Sequence, residues 1–483
     1  MKNKFIIVLT FLPFICLAQD YKRNIFDYEN LKLDTISVCD EDVLQILEKS
    51  FIALEENNSK NAVKIAKQEF DKDQNCPEIF EVYGYSLFRS GEWFEGIEIV
   101  EKGIEKFGSN PNLIRRRIQM SLEMAQLGTG QKHIDGNSVY KANSIKYGEE
   151  QFKTENFQSA LNDLEYLVKI YDRNEEKFYI AKINQVLENY ETSNKIFKAL
   201  LDDEEYRDNA IFNIAENYIN LKRFDDAESE LNTLLESYPK EGALFEKLAE
   251  IYELKNNRKK AEEFNRKSMF YRNVPSFTNL DYSDENFDLL KFFGEYDNKA
   301  NAKLKKLNKI AKSGNQEYTI DVCLMILSIH ANHGNGVEEK ATEILKKIGK
   351  PCLEKVHLLF QSDVSTCAIT NLSDIMATVK DEDSWELLKA YLPYIAHMPM
   401  TLIPPAVPEK MIKFDEDRGI KEILIVVKEL LNADSQSDEL FGGFGQYAYY
   451  LPLKDVNKSK LKRIATELNY SDEEFKLLED NIK

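Results

Sequence analysis

The chain is poor in the groups from which most catalytic and metal sites are built. It has five histidines in 483 residues, and no Gly-x-Ser-x-Gly elbow that would set a serine nucleophile on a strained turn. The one close histidine pair, His330 and His333, has the i, i+3 spacing of a shared helix face. No carboxylate or cysteine completes a ligand set at a telling distance, so the pair reads as polar residues at a helix end and no metal or cofactor is expected. Cys352 and His357 stand near each other with nothing to fix a nucleophile–base geometry. Basic runs are also missing: no five consecutive residues are Lys or Arg, and the formal charge is −19. Binding to nucleic acid rests on basic clusters that neutralise phosphates, so a nucleic-acid partner is not expected. The densest basic stretches, Asn257 to Lys260 and Lys303 to Lys309, read as exposed helix faces. Acidic pairs such as Asp202-Asp203 read as solvated surface.

Long apolar runs are absent after the first residues, so no transmembrane segment is expected in the mature chain. The amino terminus itself carries Lys2 and Lys4, an apolar run from Phe5 to Leu17, and the small-x-small pattern Cys16-Leu17-Ala18. That is the anatomy of a secretory signal peptide cleaved after Ala18, which implies an exported, periplasmic or extracellular protein. An uncleaved anchor fits less well because Pro13 interrupts a run already short for a membrane span. A lipidated Cys16 also fits less well, because bulky Phe14 and Ile15 precede it. Five cysteines then remain: Cys39, Cys76, Cys323, Cys352 and Cys367, an odd number that leaves at least one unpaired or intermolecular. Cys39 precedes an expected helix from Val43 to Glu56, and Cys76 follows one from Asn61 to Phe70. An antiparallel hairpin brings those ends together, which makes Cys39 and Cys76 the candidate disulfide.

What the chain has in quantity is helical periodicity with a repeat. Ala160, Ser193, Ala227 and Ala261 stand 33, 34 and 34 residues apart, and each has a small companion twelve residues earlier: Gly148, Ala181, Ala215 and Ala249. A period of about 34 is the length of a helical hairpin that stacks into a solenoid, and two small residues so spaced mark a close helix crossing within it. From Asn209 to Pro239, Ile211, Ile214, Ala215 and Tyr218 form one apolar stripe. Lys222 to Asp226 makes the turn, and Ala227, Leu231, Leu234 and Leu235 continue on a second helix. Phe245, Leu248, Ala249, Tyr252, Ala261 and Phe264 repeat the scheme. Upstream, Gly84 and Gly96 fit it, and Ala62 lies 34 residues before Gly96. The glycine-containing stretch from Leu127 to Gly136 reads as a degenerate repeat with an irregular loop. About seven hairpins are expected between Asp40 and Val274.

In this pattern of small residues, aromatics and a terminal proline the chain resembles tetratricopeptide repeats. The resemblance implies an all-α fold: a superhelical solenoid of hairpins over residues 19–275, followed by a mostly helical region over 276–483 whose family is not identified. It also implies that first helices line a groove. On that ground Phe178, Lys182, Gln185, Phe212, Asn213, Glu216 and Asn220 are the candidate peptide-binding residues, with Phe178 and Phe212 as an aromatic step and Glu246, Glu250 and Glu253 extending the face. The groove's acidity argues against the carboxylate-clamp variety of the family.

Beyond Pro275 helices are expected over Glu317 to His330, Val337 to Ile348, Asp383 to Ala396, Arg418 to Leu431, Lys458 to Leu468 and Asp472 to Asn481. Ser471 and Glu474 have the spacing of a capping box for the last of these. Phe441 to Gly445 lacks the strand, lysine and Ser/Thr context of a phosphate loop and reads as a turn packed by its aromatics. Tyr447, Tyr449 and Tyr450 alternate as an edge strand or pocket wall would. The expected function is a non-catalytic protein- or peptide-binding scaffold of the cell envelope. The alternatives are an enzyme or small-ligand receptor with its site in the C-terminal region, or a structural component of an envelope assembly.

Overall fold

The computed structural model of the chain describes residues 39–55, 58–72, 75–108, 110–127, 149–295, 299–329, 336–362, 364–396, 406–434, 451–454 and 456–481. The segment expected to be a signal peptide, residues 128–136 of the expected degenerate repeat, Gly148, His330, His333 and the segment from Phe441 to Tyr450 lie outside them. The described residues form α-helices joined by turns and short connections, with one short 3-10 turn and no strand. Two compact units divide at 237/238, so the expected boundary at Pro275 falls inside the second unit.

In the first unit the helices are α1 (Glu41–Glu55), α2 (Ser59–Lys72), α3 (Pro77–Arg89), α4 (Trp93–Phe107), α5 (Pro111–Leu127), α6 (Glu149–Tyr171), α7 (Asn174–Val186), α8 (Tyr190–Lys198), α9 (Arg207–Asn220) and α10 (Phe224–Ser237). They pack as successive antiparallel pairs, α1 on α2 through α9 on α10. The small residues sit where these pairs cross. A Cβ on Gly96 would stand 2.5 Å from the Gly84 carbonyl oxygen and 2.8 Å from the Phe88 nitrogen, so only hydrogen fits between the backbones of α3 and α4. In the next hairpins Ala181, Ser193, Ala215 and Ala227 occupy the same places with no exposed surface.

The turns repeat as well. Gly91, Glu188 and Lys222, each five residues before a second-helix small residue, have positive φ. Each lets the following N–H reach back to the end of the first helix: Asn189 to the Asn184 carbonyl at 2.8 Å, Arg223 to Tyr218 at 2.8 Å.

The expected repeat carrying Ala160 is a correction. Ala160 lies in the middle of α6, which pairs with α5, so no turn precedes it within residues 149–160 and it does not open a second helix. Five hairpins are described in the first unit and α11–α12 below is a sixth; residues 128–136 of the expected degenerate repeat lie outside the described residues, whereas Ala160 sits inside a continuous helix. The reason is local: the continuous apolar stripe Phe157, Ala160, Leu164 and Leu167 favours one long helix over a turn. Cys39 and Cys76 are joined as a disulfide, with Cα atoms 5.2 Å apart, closing the first hairpin.

The second unit holds α11 (Gly242–Leu254), α12 (Arg258–Asn273), α13 (Asp284–Gly294), α14 (Ala300–Ala311), α15 (Gln316–Ser328), α16 (Val337–Ile348), α17 (Leu353–Phe360), α18 (Thr366–Val379), α19 (Glu382–Ala396), α20 (Val407–Phe414), α21 (Glu416–Asp434), α22 (Lys458–Glu467) and α23 (Asp472–Asn481). The α11–α12 hairpin keeps the repeat register, with Asn256 in the left-handed turn position. From Phe270 to Leu478 one apolar core continues, because successive helices pack on a neighbour, on the next but one, or on both. Ser471 and Glu474 close the capping box: the Glu474 carboxylate accepts from the Ser471 N–H at 2.6 Å, and the Ser471 hydroxyl accepts from the Glu474 N–H at 3.1 Å.

Candidate peptide-binding face

The first helices of the repeat unit form a row: α1 packs on α3, and α3 on α5. α5 meets α7 through Arg115. That guanidinium, fully buried, donates to Glu175 at 3.3 Å and to Glu176, which burial holds above the usual carboxylate range. Neighbouring Arg117 holds Asp163 of α6 by two hydrogen bonds of 2.8 and 2.7 Å. Three consecutive arginines thus lock α5 to three different helices, since Arg116 reaches Glu81 of α3 at 2.9 Å.

One register position runs along this row. Phe51, Tyr85 and Gln119 are spaced 34 and 34 apart, and Lys182 and Glu216 again 34 apart; all five are half-buried, while the residues before them are buried. Such a position has one side in the interhelical seam and one side in water. In α1 and α3 it is aromatic, in α5 an amide, and the three are tied together by one cation. The Arg116 guanidinium lies 4.1 Å from the Tyr85 ring centre and 5.8 Å from that of Phe51. Arg116 also donates to Gln119 at 2.6 Å, and Gln119 donates to the Tyr85 hydroxyl at 3.2 Å. The guanidinium stacks closely on the Tyr85 ring and reaches the edge of cation–π range of Phe51.

In α7 and α9 the position is charged. Lys182 donates to Gln185 at 3.1 Å and to the Asn213 side chain at 2.7 Å, and Gln185 donates to the Asn213 carbonyl at 3.3 Å. Asn213 itself is buried and serves as the internal anchor of this pair; Asn220 is exposed and donates to the Glu216 carbonyl at 3.0 Å. Lys182, Gln185, Glu216 and Asn220 therefore line the face together.

Phe178 and Phe212 do not. Phe178 is wholly buried against Tyr179, Phe197 and Tyr206, with ring centres 5.5 to 5.6 Å away, and Phe212 is 7% exposed. The aromatic step expected there is corrected: each phenylalanine lies three residues before its small residue, on the turn of the helix that faces the second helix. The aromatic part of the face lies upstream, at Phe51 and Tyr85. Their signal was present in the sequence as the same 34-residue spacing, one residue after Ser50 and Gly84, but Ile118 before Gln119 hid the continuation.

Nothing resembling a catalytic site gathers in the second unit among the described residues. The Cys352 thiol is buried and pushed up to about 11, donating to the Gly349 carbonyl at 3.1 Å. His357 contacts the Ser384 hydroxyl at 2.8 Å, with Asp381 3.9 Å from the same ring nitrogen. Ser384 has no exposed surface and Asp381 caps its helix by accepting from the Ser384 N–H at 2.8 Å, so the trio is a buried helix start and not a nucleophile with its base. Three metal-ligating atoms come together only at Cys39, Cys76 and Glu78 among the described residues, and the disulfide takes both sulfurs. No described helix is long and apolar enough to cross a membrane.

Residues 187–251, spanning α8 to α11, match the family model for the tetratricopeptide repeat. Among solved structures, TTC0263, a thermophilic TPR protein of Thermus thermophilus, is 14% identical, with 43% of this chain and 97% of that chain covered at a TM-score of 0.27. MamA AMB-1 is 15% identical, covering 39% of this chain and 95% of that one at 0.26. The human IFIT1 dimer with PPP-AAAA is 13% identical, covering 77% and 94% at 0.23. Superpositions this loose carry no argument about function, and no curated protein matches the chain. The family match over residues 187–251, the small-residue register and the pairing of the helices identify tetratricopeptide repeats within this chain.

Proposed function

We propose that the chain is a non-catalytic scaffold that holds a protein or peptide partner along the first-helix face of its repeats, outside the cytoplasm. The observation that carries this reading is the half-buried stripe of Phe51, Tyr85, Gln119, Lys182 and Glu216, one residue per repeat at one register position. Aromatic rings give apolar anchorage, and amide and charged groups further along give hydrogen bonds to an extended or helical segment. The signal-like amino terminus and the Cys39–Cys76 disulfide support export, since such bonds persist in oxidising compartments.

The test places a photo-crosslinking residue at position 85 in one full-length protein and at position 216 in another, expressed in the native host. The reading expects both to capture the same polypeptide in the cell envelope, and expects Tyr85→Ala in a folded chain to weaken that partner by more than about 1 kcal/mol. Capture of unrelated proteins at the two positions, or unchanged affinity in Tyr85→Ala, would reject the face as the site.

A further inference from the structure

In a chain of net charge −19, helix α14 is purely cationic. Residues 299–316 contain six lysines and no Asp or Glu, where the chain's average of 83 acids in 483 residues would give about three. Lys303, expected from the sequence to be exposed, is fully buried, and its ammonium donates to the backbone oxygens of Phe293 and Glu295 at the end of α13. It serves the fold by compensating that helix terminus. Leu307 and Ile310 share its buried side.

Lys305, Lys306, Lys309 and Lys312 are different. All four are exposed. At 100° per residue Lys305, Lys309 and Lys312 fall on the side opposite Lys303, Leu307 and Ile310, with Lys306 on its flank. No ion pair joins any of the four to a carboxylate of the described residues, whereas other basic groups are paired, as Lys460 and Arg463 are with Asp417. The ridge from Lys305 to Lys312 is about 10 Å long at 1.5 Å per residue.

We propose that this ridge docks an acidic polypeptide segment. The apolar residues of α14 point inward, so the helix has nothing to insert into a bilayer. A membrane or nucleic acid is also an extended anion that the rest of this acidic chain repels, whereas a short Asp/Glu run fits within the ridge. Ammonium groups on flexible stems suit carboxylates presented without fixed geometry. The surface is independent of the repeat face, so either reading can fail alone.

Fluorescence anisotropy of labelled decaglutamate with the full mature chain, against decaglutamine as control, decides it. Decaglutamate is expected to bind, decaglutamine not, and a rise from 50 to 200 mM salt to weaken binding about tenfold or more. Replacing Lys305, Lys306, Lys309 and Lys312 by Gln should weaken it at least tenfold. The same change at Lys49, Lys64, Lys195 and Lys222, and Tyr85→Ala, should leave it within twofold, with circular dichroism melts showing all variants folded. Equal losses in both lysine sets, no binding of decaglutamate, or binding of anionic vesicles in its place would overturn the proposal.

Discussion

The repeat unit and the second unit are both stacks of helices, yet they specify the stacking differently. Before 237 the crossings of α1–α2, α3–α4, α7–α8 and α9–α10 are marked by small residues about 34 apart within each run, and long-range polar links hold the hairpins: a disulfide on the first, three arginines from α5. After Phe270 the period is gone, but one apolar core runs on through α23 by contacts between neighbouring and next-neighbouring helices. The difference teaches that stacking requires only amphipathic helices of suitable length joined by short turns. The 34-residue register adds a surface on which equivalent residues line up, and that is what a binding face needs.

The largest effect that would sharpen this contrast is expected from Arg115→Ala. It removes the buried guanidinium that Glu175 and Glu176 share and leaves Glu176 to Arg173 alone. The cost should be about 3 kcal/mol, because a poorly compensated buried charge is expensive. Chemical denaturation should show the loss in the first unit, with the transition of the second unit unchanged; a loss shared equally by both would mean that the units do not unfold separately.

Gly96→Val comes next, at about 2 kcal/mol, since its side chain would drive α3 and α4 apart. A melting temperature within 1 °C of the parent's, a margin smaller than about 1 kcal/mol would produce, would show that the crossing tolerates the group and that the small-residue register is not a packing requirement.

The smallest effect belongs to the second unit. Burial, with Glu339 adding repulsion, raises Glu338 to about 7 from the usual 4.5, so folding takes up a proton there. The stability this supplies is complete below about pH 4.5 and is lost as the pH rises through 7. Glu338→Gln should flatten the pH dependence of stability across that window and stabilise the protein at pH 8. An unaltered pH profile would show the carboxyl to be ordinary in the folded chain.

Much of the fold was legible because helices announce themselves locally. Val337–Ile348 and Asp472–Asn481 were delimited from periodicity and caps alone, and the helix ends that bracket Cys39 and Cys76 pointed to one another. The candidate face was legible in part. Lys182, Gln185, Glu216 and Asn220 follow from the register, whereas Phe178 and Phe212 were misplaced, because a residue three positions before the small one turns toward the second helix. Arg116 was not visible as part of the face, since its role depends on Tyr85 and Phe51 arriving from two other helices.

By itself the sequence determined that this is a chain of helical hairpins with a tetratricopeptide register, because 3.6-residue periodicity and a 34-residue interval of small residues are local and additive signals. Only the tertiary structure decided which side chains remain half-open to water, which lysine of α14 is structural and which four are not, and that Ala160 lies inside one long helix. Those properties are set by the neighbours each residue meets across a helix seam, and such neighbours are commonly some 30 residues away in the chain, about one repeat.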